Sequence, residues 1–146
     1  MFRRLIETWP TWAALPVRLA LGAVFIAHGA QKVFGVWGGT GLAKFTGGTA
    51  PMGLRPAWLW LGAAAVCELL GGALVLTGLL TRLGALMILP VMLVAIFGVH
   101  NDAFFLPRGM EYAVSLLAMA LALLISGGGR ASVDERLLNR RGGRRR

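Results

Sequence analysis

The chain has 146 residues, 57% of them apolar, and a net charge of +9, with a mean hydropathy of +0.71. Only 14% of its residues are charged, against about 25% in an ordinary soluble domain, and long uncharged runs separate the charges, which marks a small integral membrane protein forming one domain. The basic excess is concentrated in a terminal tail rather than on a folded face, which argues against nucleic acid as a partner, and the single cysteine, Cys67, excludes an internal disulfide and any dithiol chemistry carried by this chain alone.

The N-terminal residues are basic and then aromatic, and Trp9 and Trp12 suit the headgroup level of a bilayer. A first apolar run covers about 13–34. Arg18 at its front, and the apolar runs behind it, argue against a cleaved signal peptide. Residues 35–56 are rich in Gly and Thr and read as a loop with a short interfacial helix around 42–45. Its glycines lack the preceding strand and the Gly-Lys-Ser/Thr ending of a phosphate-binding loop. A second apolar run spans 57–80 and is long enough to cross a bilayer, which takes about 20 residues. A very short turn then leads into a third, 83–99, so these two helices must be antiparallel neighbours. Pro90 inside the third run predicts a kink. A fourth, shorter run covers 110–125, and Ser126-Gly127-Gly128-Gly129 ends it. In the tail, Ser132 followed by Glu135 has capping-box spacing and predicts one short helix.

The expected fold is therefore all-α: an integral membrane four-helix antiparallel bundle over residues 1–130, followed by a basic tail over 131–146. Orientation follows from the cations. The side holding both termini carries Arg3, Arg4, Arg18, Arg82, Arg130, Arg136, Arg140, Arg141, Arg144, Arg145 and Arg146, and the other side Lys32, Lys44, Arg55 and Arg108. That asymmetry puts both termini in the cytoplasm and the chain in the inner (cytoplasmic) membrane.

Glu68 lies close to the middle of the second run. A carboxylate there costs roughly 2.5–3.5 kcal/mol on insertion scales and must face protein or water rather than lipid. Its helical neighbours at three and four positions are Ala64, Ala65, Gly71 and Gly72, so either another backbone packs tightly beside it or a cavity opens there. The antiparallel topology brings His28, Lys32, His100 and Glu111 towards the same outer half of the bundle. In the first helix Arg18, Gly22, Phe25, Gly29 and Lys32 share a stripe, and in the fourth Glu111, Ser115, Ala118, Ala122 and Ser126 form a small and polar stripe expected to face the interior. Acid, base and amide groups converging inside a membrane bundle are a functional-site hypothesis; the competing reading makes Glu68 and Lys32 a structural pair. Haem ligation by His28 and His100, or a metal held with Glu68 and Glu111, lacks the supporting spacings, so no metal is expected.

Taken in order, Arg18-x-x-x-Gly22, His28-Gly29-x-x-Lys32-Val33-Phe34-Gly35, Glu68-Leu69-Leu70-Gly71-Gly72-Ala73-Leu74, Gly78-Leu79-Leu80-Thr81-Arg82, His100, Glu111 and Gly127-x-Gly129-x-x-Ser132-x-Asp134 resemble the DoxX family of small four-helix membrane proteins. The resemblance covers roughly 18–137. It implies a redox-associated membrane subunit, quinone-linked or tied to oxidative stress or sulfur chemistry, with quinone as the candidate cofactor. Glu68, His28 and Lys32 are then the proton-transfer or polarising groups, being side chains of the types that do general acid–base work. Glu68, His100, Glu111, Gly71 and Gly72 would form the ligand pocket. The chain has no flavin motif, dithiol or metal set, so electrons would come from a protein partner, and it reads as a subunit of an oxidoreductase rather than a self-sufficient enzyme. Two alternatives stand beside this: a small proton-linked transporter, and a non-catalytic scaffold docking a soluble partner. The expected partners are the lipid bilayer, the redox protein and a second copy of the chain.

Overall fold

A computed structural model describes residues 5–105, 107 and 109–142, without the side chains of 140–142. Arg3, Arg4, Arg108, Arg144, Arg145 and Arg146, and the side chains of Arg140 and Arg141, all part of the orientation argument, lie outside the described residues. Six helices and no strand are found among the described residues: α1 (Ala14–Phe34), α2 (Leu42–Thr46), α3 (Ala57–Thr77), α4 (Thr81–Val94), α5 (Glu111–Ser126) and α6 (Val133–Gly142). Three are long and apolar enough to cross a membrane: α1, α3 and α4 with its extension to Val99. With 16 residues, α5 is about 24 Å long, short of the roughly 30 Å hydrocarbon core.

The long helices pack in the cyclic order α1, α3, α4, α5, with α5 returning to α1. The α1–α3 contact is the tightest, because glycines let the backbones meet. A Cβ added to Gly29 would stand 2.6 Å from the Leu69 nitrogen, and one added to Gly72 would stand 2.7 Å from the Ile26 nitrogen. Small residues at such crossings are the usual route to close packing in membranes, where apolar burial gives no driving force between helices. Leu21, Phe25, Val75, Ile88, Ala120 and Leu123 fill the centre.

All five tryptophans, Trp9, Trp12, Trp37, Trp58 and Trp60, are exposed. They fall in two groups, at the opposite ends of α1 and α3. The 21 residues of α1 separate the groups by about 30 Å, while exposed Leu19, Val66, Leu70, Leu86 and Leu93 occupy the perimeter between them. Two aromatic girdles around an apolar band are the surface of a protein that sits in a bilayer.

Three local expectations need correction. The second helix stops at Thr77 rather than 80, because Gly78 turns left-handed at φ 70° and Leu80 follows at φ 48°. The third starts at Thr81 instead of 83. Pro90 lies within the unbroken α4, and a π turn follows over Ala95–Val99. Finally, Ser115, Ala118 and Ala122 of α5 face outwards, and its buried face is the apolar set Ala113, Leu116, Ala120 and Leu123. Apolar contact with α4 and α1, rather than the small and polar stripe, decided the rotation of this helix. The short helix predicted at 42–45 is α2. The predicted cap is present, with Glu135 N–H donating to Ser132 Oγ at 3.1 Å.

Candidate functional site

The end of the molecule away from the two termini holds a cavity of about 570 Å³, within the range of small-molecule sites. Four helices contribute to its wall: Phe25, His28 and Lys32 from α1, Ala63, Ala64, Cys67 and Glu68 from α3, Pro90, Val91 and Val94 from α4, and Tyr112, Ala113 and Leu116 from α5. His100, just after the π turn, also lines it. The loop between α1 and α3 adds Phe45, Thr49, Pro51 and Leu54. This loop reaches across to the π turn after α4, where a Cβ on Gly98 would meet Pro51 at 3.1 Å. Most of the lining is apolar, so the few polar groups on it stand out chemically.

The central polar feature is an ion pair. Lys32 Nζ donates to both carboxylate oxygens of Glu68, and the same ammonium lies 5.3 Å from the centre of the Phe45 ring. Glu68 is 3% exposed, while the Lys32 side chain is 26% exposed. The acid is thus sealed on the α1–α3 side by the glycine contacts, and it meets the cavity together with a cation on a flexible stem. Both outcomes expected beside Glu68 are present at once: Gly72 packs against the α1 backbone, and a cavity opens at Ala64.

The structure brings His28, Lys32, Glu68 and His100 to one cavity wall. Glu111, half-buried at the start of α5, is not among the cavity residues, and neither are Gly71 and Gly72, which lie buried in helix contacts behind Glu68. Tyr112 occupies the wall position on α5 and was missed, because spacing alone does not fix how a short apolar helix is rotated.

A second buried polar cluster lies at the other end. Arg18, 2% exposed, donates from Nε to Val75 O at 3.0 Å, from Nη1 to Gly128 O at 2.8 Å and from Nη2 to Leu76 O at 3.0 Å. It donates to the Val75 and Leu76 carbonyls at the C-terminus of α3, of which Val75 O also accepts from Gly78 N–H, and a cation there complements the helix dipole. Asp134 of α6, 1% exposed, accepts from Leu80 N at 2.7 Å and from Thr81 N and Thr81 Oγ1, both at 2.9 Å. It serves α4 as an N-cap supplied from another helix. A Cβ on Gly78 would meet the Arg18 guanidinium carbon at 2.6 Å, so this turn requires glycine for space as well as for φ. The capping-box spacing pointed to α6, but no sequence signal paired Asp134 with Thr81.

Among the described residues no group of three or more His, Cys, Asp or Glu side chains is placed to hold a metal. The cavity's donors do fit a neutral ligand with carbonyl oxygens, since Lys32 and the His28 imidazole offer N–H groups against largely apolar walls. A search of curated proteins and a search of solved structures each find no match. The DoxX family model matches residues 13–101, the stretch that carries Arg18, the ion pair, the tight turn and the cavity face of α4, and the chain belongs to the DoxX family.

Proposed function

We propose that this protein is a membrane subunit of a redox complex, with α5 as a fourth, short span, both termini cytoplasmic, and the cavity in the outer half of the membrane as the site of a quinone headgroup. The observation that carries the reading is the Lys32–Glu68 pair on the wall of a largely apolar cavity. An ion pair beside an apolar slot is expensive to maintain if it serves packing alone, because a well-packed apolar pair is as stable or more so. Lys32 and the His28 or His100 ring would donate to the ligand's carbonyl oxygens, and Glu68 would hold or accept a proton beside them. A bound quinone supplies the electron-accepting chemistry. The chain's own residues bind it, orient its oxygens and exclude bulk water. Electrons come from a partner protein.

Purification in mild detergent followed by lipid extraction tests this. Stoichiometric quinone in the wild type, falling at least tenfold in Glu68→Gln at equal yield of folded protein, is the expected result. A wild type that carries no quinone and gains none on incubation, or a Glu68→Gln protein that retains it fully, overturns the reading.

A further inference from the structure

The cavity reaches the outer surface of the helices at a depth where water is absent. Helices α3 and α4 touch near the turn that joins them, where a Cβ on Gly71 would stand 3.1 Å from Gly84 O. Towards the other end they face each other across the cavity, with Ala63, Ala64 and Cys67 on one side and Pro90, Val91 and Val94 on the other. Of these, Ala63 and Pro90 are exposed on the perimeter. Ala63 lies six residues inside the start of α3 and Pro90 nine residues before the end of the π turn, so they stand about 9–14 Å below that end. Exposed Trp58 and Trp60 mark the headgroup level just above them. What lies outside Ala63 and Pro90 is therefore hydrocarbon. The wall here is built from small side chains and a proline, whose missing N–H removes one backbone bond of α4 at the level where the seam is open.

We propose that the cavity is reached sideways from the bilayer through the seam between α3 and α4, and that its ligand is a membrane-dissolved amphiphile with its polar head at Lys32 and Glu68 and its apolar tail between Ala63 and Pro90. This rests on the reading of the cavity as a ligand site, and it adds the route and the tail.

Cys67 lies on the cavity wall and is the single thiol of the chain, so it reports access without mutation. In proteoliposomes, an uncharged, bilayer-partitioning maleimide is expected to modify Cys67 at least tenfold faster than a sulfonate-bearing thiol reagent confined to water. Ala63→Trp, and separately Val91→Phe from the opposite side of the seam, should each slow the maleimide at least fivefold, and each more than Thr49→Trp at the loop side of the cavity. Comparable rates for the two reagents overturn the proposal, as does slowing by Thr49→Trp with Ala63→Trp and Val91→Phe inert. Failure of both reagents on the folded protein, when the denatured chain reacts normally, overturns it too. These rates are read without ligand, so they stand even if quinone does not bind. Protection of Cys67 by an added isoprenoid quinone but not by a long-chain fatty acid identifies the head; protection by the fatty acid alone keeps the lateral route and removes the quinone.

Discussion

One buried carboxylate stands towards each end of the helices, and the two are satisfied in opposite ways. Asp134 receives two backbone N–H groups and a hydroxyl from a rigid turn, close to the capacity of an ionised carboxylate. Glu68 receives the ammonium of Lys32, which is itself partly exposed and borders a cavity. Burial does not tell these acids apart, since both are almost inaccessible. What separates them is whether fixed groups have used up their lone pairs. The first acid holds the chain together, while the second is held by a single side chain at a cavity wall, which is where the proposed function places its ligand.

The comparison is most easily broken by removing the clamp. Asp134→Ala leaves the Leu80 and Thr81 nitrogens buried without acceptors and Leu80 held at φ 48° without support. We expect a loss of about 3–5 kcal/mol, as for other broken buried charge networks, read by thermal unfolding in detergent. Arg18→Ala should match it, because the Leu76 and Gly128 carbonyls lose this donor and Val75 O loses one of two. Gly72→Leu comes next. The added atoms meet Ile26 and Phe25 of α1, and overpacking of this kind costs about 1–3 kcal/mol; the expected readout is a lower unfolding temperature together with altered α1–α3 crosslinking.

Glu68→Gln should cost less, about 1 kcal/mol, because the amide still accepts from Lys32 and the ammonium can turn to solvent. An unfolding shift as large as that of Asp134→Ala would mean that the cavity end is a second clamp and would remove the basis of the proposed function. The smallest effect belongs to the tail: deleting 140–146 leaves every bond of Asp134 in place and should change stability by no more than about 0.5 kcal/mol. Should that deletion abolish capture of a partner protein while Glu68→Gln does not, docking rather than ligand binding is the main activity.

Much of this was legible beforehand because membranes simplify the problem. Long uncharged runs have one solution, and α1 and α3 begin within one residue of the expected starts. The stripe of Arg18, Gly22, Phe25, Gly29 and Lys32 was readable from spacing, since its glycines and arginine have no place on a lipid face. The meeting of Lys32 with Glu68 followed from antiparallel depth. Other features depended on information that spacing does not carry. The rotation of α5 was misjudged because serine and alanine suit lipid as well as a helix interface. Spacing placed Arg18 at the front of the first run and on its stripe, but not its bonds to the end of α3 and to the glycine loop at Gly128. Long-range caps such as Asp134 on Thr81 have no local signature, because donor and acceptor belong to helices separated by another entire helix.

That separation also orders events during synthesis. The turn between α3 and α4 leaves the ribosome more than 50 residues before the acid that completes it, as the Thr81 to Asp134 spacing of 53 shows. Until α6 is made, the hairpin must keep its open nitrogens at the aqueous boundary, where water can serve them. The final turn of translation therefore acts as a seal. A chain that stops before Asp134 has its apolar helices already made and the closure of this turn missing.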